Sequence, residues 1–302
     1  MIRPPRLAPG DVVRVVAPSG PVPREAFAEG AALLAARYRL RYDDGLFTRT
    51  GYLAGPDERR LAEVRAALED PEARAVIMAR GGYGLLRLLP FLDPAVIARN
   101  PRPVVGFSDG TALLATAARA NLAAIHGPVV TQLGSLGSTD QQALFALLEQ
   151  PGPRLLLEGL DELIPGRVRG PLMGGNLEVF SRLVGTPFMP DLSGAILFFE
   201  DLGERPYRLD RLLTALDLAG VFGAAVAVVA GDFSGCREPE PTRADSPTAD
   251  EVLVERLGRL PIPVALGGAF GHQGRNRALP YGTLCELDTP GGTLVALEGA
   301  VS

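Results

Sequence analysis

The order of apolar runs predicts an α/β protein, with a parallel sheet covered on both faces in the first half of the chain and a smaller mixed α/β domain in the second. Strand-like apolar runs alternate with helix-periodic segments through the first 150 residues, the pattern of a parallel sheet with crossover helices. Segment 151–170 breaks that rhythm with prolines and glycines around a leucine run. It is read as a linker between a domain over 1–150 and another over 171–302. A chain of 302 residues, 47% apolar and 22% charged, has the length for two domains and the composition to bury a core in each.

Residues 12–17 form a first apolar run closed by Pro18-Ser19-Gly20, and 24–38 carry leucine and alanine at helical spacing. A second strand is expected over 39–46 and an amphipathic helix over 56–69, with Pro56 suited to its first turn. Residues 75–79 read as a third strand ending in Arg80-Gly81-Gly82-Tyr83-Gly84, followed by a short helix over 85–92. Val104-Val105 is a short buried strand, 111–120 a helix, and 123–125 another strand before His126-Gly127-Pro128. Ser138 or Thr139 is expected to cap a helix over 140–149. Beyond the linker, helices are expected over 176–184, 208–218 and 251–260, and strands over 195–199, 224–230 and 264–266. Residues 236–249 read as a surface loop, and the rest as short strands with a Pro290-Gly291-Gly292 turn.

A net charge of −5 argues against nucleic-acid and anionic-membrane partners, which select for basic surfaces. All 30 basic residues are arginine, and without lysine neither a Ser-Lys dyad nor Schiff-base catalysis is available. Cys236 and Cys285 stand apart with no C-x-x-C spacing, so no metal or cofactor is expected. The first residues lack the apolar core of a signal peptide, and the longest apolar stretch, 221–231, is too short to span a bilayer. The cytoplasm is the expected location.

Gly106-Phe107-Ser108-Asp109-Gly110 sits between a strand and a helix and has the G-x-S-x-G spacing of a nucleophile elbow. A serine hydroxyl needs a base, and the chain offers two histidines, His126 and His272, each following a strand. From the residues alone both remain candidates, and the glycine setting of Gly267-Gly268-Ala269-Phe270-Gly271-His272-Gln273-Gly274 favours His272. Glu200 and Asp201 end an apolar strand, where an active-site carboxylate is expected, and five apolar residues before it make Glu200 a partly buried, paired acid. Asp201 and Glu204 have the competing role of capping the 208–218 helix. In the Arg80 to Gly84 stretch, Gly81 and Gly82 leave backbone amides unshielded, one of which can pair with the Asp109 amide as an oxyanion hole. Two other readings stand beside this one. A single-domain α/β-hydrolase esterase shares the elbow, and in a non-catalytic binding protein Ser108 is merely a helix cap.

Taken together, Arg80-Gly81-Gly82-Tyr83-Gly84, Gly106-Phe107-Ser108-Asp109, Gly170-Pro171-Leu172-Met173-Gly174-Gly175-Asn176-Leu177, Phe199-Glu200-Asp201 with Pro206-Tyr207-Arg208, and Phe270-Gly271-His272 resemble the LD-carboxypeptidases of serine peptidase family S66. The resemblance runs from about Val13 to about Pro280. It implies a Ser-Glu-His triad carried onto Ser108, Glu200 and His272; the Gly82 and Asp109 amides, with Gly81 beside them, are then the expected holders of the oxyanion. Arg80, or an arginine of the second domain, would bind the substrate carboxylate. It further implies a flavodoxin-like or class I glutamine-amidotransferase-like N-terminal domain that carries the nucleophile, a C-terminal domain that brings Glu and His, and a homodimer. The implied reaction, in cell-wall recycling, releases terminal D-alanine from murein tetrapeptides. A branch resembling microcin C immunity proteins instead cleaves peptidyl or aminoacyl nucleotide analogues, stacking the base on an aromatic side chain that is often tryptophan. This chain has no tryptophan, which favours the murein branch.

Overall fold

The computed structural model describes residues 1–238 and 246–302, so 239–245, in the expected surface loop, lie outside the described residues. The elements run β1 (Val12–Val16), α1 (Arg24–Ala35), β2 (Arg39–Arg41), α2 (Asp57–Glu69), β3 (Ala73–Met78), α3 (Pro94–Arg99), β4 (Val104–Gly106), α4 (Thr111–Arg119), β5 (Ala124–His126), α5 (Val130–Leu133) and α6 (Ser138–Glu149). They continue with β6 (Arg154–Glu158), β7 (Asp161–Ile164), β8 (Arg167–Asn176), α7 (Leu177–Ser181), β9 (Ile196–Glu200), α8 (Pro206–Leu218), α9 (Val221–Ala224), β10 (Ala227–Ala230), α10 (Ala249–Leu257), β11 (Val264–Leu266), β12 (Leu279–Tyr281), β13 (Leu284–Asp288) and β14 (Thr293–Ala296).

The chain divides into two compact units. The first comprises Met1–Gly152, Arg277–Gly282 and Gly299–Ser302; the second comprises Pro153–Asn276 and Thr283–Glu298. In the first, β2-β1-β3-β4-β5 lie parallel in the flavodoxin-like order, and β12 adds antiparallel to β5. Pro280 is tolerated in β12 because that strand is an edge. The sheet core is a layer of fully buried Val13, Val15, Val16, Ile77, Val104 and Val105. Residues 111–118 of α4 are all buried, which explains why that helix is built from alanine, leucine and threonine. In the second unit β8 does double duty. Its first half pairs antiparallel with β13, and its second half starts the parallel run β8-β9-β10-β11.

The α/β class and the two-sheet division match the sequence reading, and a second sheet excludes the single-domain hydrolase alternative. Several boundaries differ for identifiable reasons. Segment 151–170 is not a linker: it supplies β6, β7 and the start of β8, with Leu155 and Leu157 paired to β14, Ile164 to β11 and Val168 to β13. The C-terminal stretches 277–282 and 299–302 belong to the first unit, not the second. Strand β2 stops at Arg41, as Asp43-Asp44-Gly45 turns the chain. The 85–92 helix is two short 3₁₀ turns, with Pro90 in the second. Helix α6 has Gly137, not Ser138 or Thr139, at its N-cap.

Arg60 is fully buried on α2 and donates to the carbonyls of Pro18 and Gly84, the latter at 3.0 Å, and to the Asp57 carboxylate. It thereby ties the loop after β1 to the glycine loop after β3. Replacing it leaves buried acceptors unpaired. Arg60→Ala should lower the unfolding free energy by about 3 kcal/mol, read as a lower urea midpoint at unchanged m-value; a change below about 1 kcal/mol would contradict this role.

Candidate active site

The first unit presents Ser108 on a strained turn. After β4 the chain passes through extended Phe107 into a 3₁₀ turn over Ser108–Gly110 and then α4, and Ser108 itself has φ +58°. Among the described residues only Asn121 shares a positive φ without being glycine. Such a conformation costs about 1–3 kcal/mol and persists only where the surroundings impose it. The surroundings here are tight. A Cβ at Gly110 would lie 2.7 Å from Met78 Sδ, and one at Gly106 3.2 Å from the Gly110 carbonyl. The N-cap positions of the 3₁₀ turn and of α4 fall on Phe107 and Gly110, so Ser108 is not a helix cap. Asp109, also buried, turns its carboxylate inward to accept from Ser19 Oγ at 2.5 Å and from the Leu85 amide at 2.9 Å. That leaves the Asp109 backbone, not its side chain, as the part relevant to an oxyanion.

The glycine loop after β3 packs directly on the elbow. A Cβ at Gly81 would stand 2.8 Å from Ser108 Cβ and 3.1 Å from its Oγ, so only glycine fits. The Gly81 carbonyl accepts from the Gly20 amide at 3.0 Å. In a trans peptide the N–H points opposite to the C=O, so the Gly82 N–H faces away from Gly20, and it has no backbone acceptor among the described residues. Gly82 has φ +110° and Gly84 φ +131°. The Arg80 guanidinium donates to the Pro21 carbonyl, so at least part of it braces the 18–21 loop.

In the second unit Glu200 is the last residue of β9 and is fully buried. Its Oε2 lies 2.6 Å from His272 Nδ1. A carboxylate accepts, so Nδ1 carries the proton and Nε2 is the basic nitrogen. Burial is the largest influence on His272 and opposes its charging. The hydrogen bond and charge of Glu200, with the charges of Asp201 and Asp232, outweigh it and raise the imidazole above its ordinary value. The other histidine, His126, is fully buried at the end of β5 with its ring edge-on to Phe107 at 5.2 Å.

Successive side chains of a strand point to opposite faces, and Asp201 turns the other way from Glu200. It accepts from the Glu178 amide at 3.0 Å, Asn176 Nδ2 at 3.1 Å and the Leu202 amide at 2.8 Å. It therefore serves the start of α7, not the 208–218 helix expected from sequence; Glu204 does pair with Arg208 at 3.6 Å. Burial, then the charge of Glu200, pushes the Asp201 carboxyl up to about 7, against those three donors.

Asp232, Ser19 and Arg60 are participants that the sequence reading missed. The available signal for Asp232 was its place just after an apolar strand, the same signal that picked out Glu200. A cavity of about 640 Å³ opens beside the His272 loop, with Asp232, Phe270, Gln273, Arg237 and Arg275 among its lining residues.

Comparison with known proteins gives the same outline. Residues 13–127 match the N-terminal domain model of the LD-carboxypeptidases and residues 169–287 the C-terminal one. A putative carboxypeptidase of Streptomyces coelicolor is 39% identical over 97% of this chain and 96% of its own, and a probable murein peptide carboxypeptidase of Bacillus subtilis 33% identical over 99% and 95%. The solved structure of a muramoyltetrapeptide carboxypeptidase from Oxalobacter formigenes superposes with a TM-score of 0.82 at 30% identity, covering 95% of this chain and 98% of that one. The microcin C7 self-immunity protein shares the fold, with a TM-score of 0.91 over the whole of both chains at 24% identity. With both domain models matched in order and identity sustained along nearly the full length, the chain belongs to the LD-carboxypeptidase family of serine peptidases, family S66.

Proposed function

We propose that the chain is a serine LD-carboxypeptidase that releases the terminal D-alanine of murein tetrapeptides, with Ser108 as nucleophile, His272 as general base and acid, and Glu200 as the orienting carboxylate. The observation that carries this reading is the buried Glu200 held 2.6 Å from His272, a pairing that fixes the tautomer a serine nucleophile needs. The names of the relatives in Bacillus subtilis and Oxalobacter formigenes support the substrate class. In the proposed cycle His272 Nε2 takes the Ser108 proton as Oγ attacks the carbonyl preceding D-alanine. The C–N bond then breaks, and the imidazolium returns that proton to the departing amine. Water, deprotonated by the same nitrogen, hydrolyses the ester and frees the tripeptide.

The Gly82 and Asp109 amides are the proposed oxyanion donors, and Gly81 supplies the clearance that lets them approach. The terminal carboxylate of the substrate would be bound by an arginine, either Arg80 or one of Arg237 and Arg275 beside the His272 loop. In this reading the enzyme works in the cytoplasm on recycled wall peptides, and family resemblance implies a homodimer.

D-alanine release from L-Ala-D-Glu-meso-diaminopimelate-D-Ala tests the assignment. Ser108→Ala should lower kcat/KM by about 10⁴-fold or more with the fold intact. If the folded, unaltered protein released no D-alanine, the murein reading would fall, and aminoacyl-nucleotide analogues would be assayed next. The general base works only when neutral, so kcat/KM should fall as pH drops through a His272 pKa set above the ordinary imidazole value. Glu200→Gln removes the charge that favours the imidazolium. It should move that acidic limb to lower pH and reduce the plateau by about 10²–10⁴-fold; an unmoved limb would count against the pairing.

A further inference from the structure

Asp232 stands two residues beyond β10 and contacts the chain on both sides of His272. Its amide donates to the Phe270 carbonyl at 2.9 Å, and its Oδ2 accepts from the Gln273 amide at 3.1 Å. Between those two bonds, Gly271 has φ +149°, and a Cβ there would fall 2.4 Å from Asp232 Cβ. On its other side the Asp232 carbonyl accepts from the Asp201 amide at 3.1 Å, fixing the backbone immediately after Glu200. Its second carboxylate oxygen accepts from the Ser234 amide at 2.9 Å and from the Ser234 hydroxyl. Phe270 completes the anchorage. Its buried ring packs edge-on against Phe198 at 5.7 Å, and a Cβ at Gly231 or Gly268 would lie 2.4 or 2.3 Å from it.

We propose that Asp232 is a positioning residue for His272, clamping the 270–273 loop to the end of β9 so that the imidazole stands at hydrogen-bond distance from Glu200. One residue thus bonds to Phe270 and Gln273, on either side of the histidine, and to Asp201, the residue that follows its carboxylate partner. The Phe270 and Asp201 bonds come from the Asp232 backbone, whereas the Gln273 bond comes from its carboxylate, and a turn-forming aspartate satisfied by Ser234 alone would not need it. The negative groups acting on His272 are Glu200, Asp201 and Asp232, so Asp232 contributes charge as well as geometry. The role rests on the reading of His272 as the general base, but its test does not depend on the substrate.

The chain has two histidines, so His272→Gln assigns the His272 imidazole NMR signals by their loss. Asp232→Asn keeps an acceptor oxygen without the charge, Asp232→Ala keeps neither, and Ser234→Ala disturbs only the turn. The His272 titration should move to lower pH in Asp232→Asn and Asp232→Ala, and Ser234→Ala should match the unaltered protein. In D-alanine release, Asp232→Ala should lower kcat by about 10–100-fold at nearly unchanged KM, the cost of a displaced catalytic group, and Asp232→Asn should recover most of it. Should Asp232→Ala fail to fold, the Asn variant and its titration decide alone. The proposal is overturned if the His272 titration is the same in the unaltered protein and in Asp232→Asn, or if Ser234→Ala reproduces the Asp232→Ala loss. An unaltered protein that releases no D-alanine would sink the substrate assignment while leaving the titration to judge Asp232.

Discussion

Keeping a carboxylate fully out of water is unfavourable unless something nearby welcomes its charge. In the second unit that something is an imidazole 2.6 Å from Glu200, and much of the surrounding structure serves to hold the two together. Strand β9 sits between β8 and β10, so the Glu200 backbone has little freedom. A second acid stands immediately beside it, and two adjacent buried carboxylates resist ionising together. The fold resolves the conflict by pointing them apart. Glu200 takes the imidazole as its partner, while Asp201 is raised toward neutrality and occupied by three N–H donors, two at the start of α7 and the amide of Leu202.

The first unit meets a different constraint with similar economy. There the hard task is to lift a hydroxyl off a sheet, and backbone geometry accomplishes it through a strained serine and glycines that cannot carry a Cβ. Inward-facing Asp109 and buried Arg60 hold the three surrounding loops by their carbonyls, amide and hydroxyl. In both units the candidate site residues follow the carboxyl ends of parallel strands: Gly81 and Gly82 after β3, Ser108 after β4, Glu200 closing β9, Asp232 after β10 and His272 after β11. Rigid strands thus aim residues on loops that are otherwise free to vary.

What the sequence reveals follows this division. Ser108 and Glu200 stand out as candidates because strand-end position and glycine flanks are local signals, and His272 because histidine is scarce. The partners that hold them are not local. Ser19 meets Asp109 across 90 residues, and nothing near Asp232 announces that it will grip a loop 41 residues later. Segment 151–170 misleads for the same reason. Its prolines and glycines resemble a linker, and its role as strands becomes visible only once β14 and β13 arrive to pair with it. Asp201 shows the limit in miniature: a carboxylate between a strand and a helix suggests the helix that follows, whereas tertiary structure assigns it to one that came earlier.

The late return of the chain to the first sheet bears on how the protein is made. Strand β12 pairs Leu279 with His126, so the sheet that carries Ser108 gains its sixth strand only after β6 to β11 of the second unit have been synthesised. Until then β5 is an open edge, with unpaired backbone groups available to any neighbouring nascent chain. The edge strand's own proline and the burial of Tyr281 mark the closing piece as one that docks by packing as well as by hydrogen bonding. Completion of the serine-bearing sheet is therefore coupled to synthesis of the segment just past the histidine, and a prematurely terminated chain would carry Ser108 in a sheet that is one strand short.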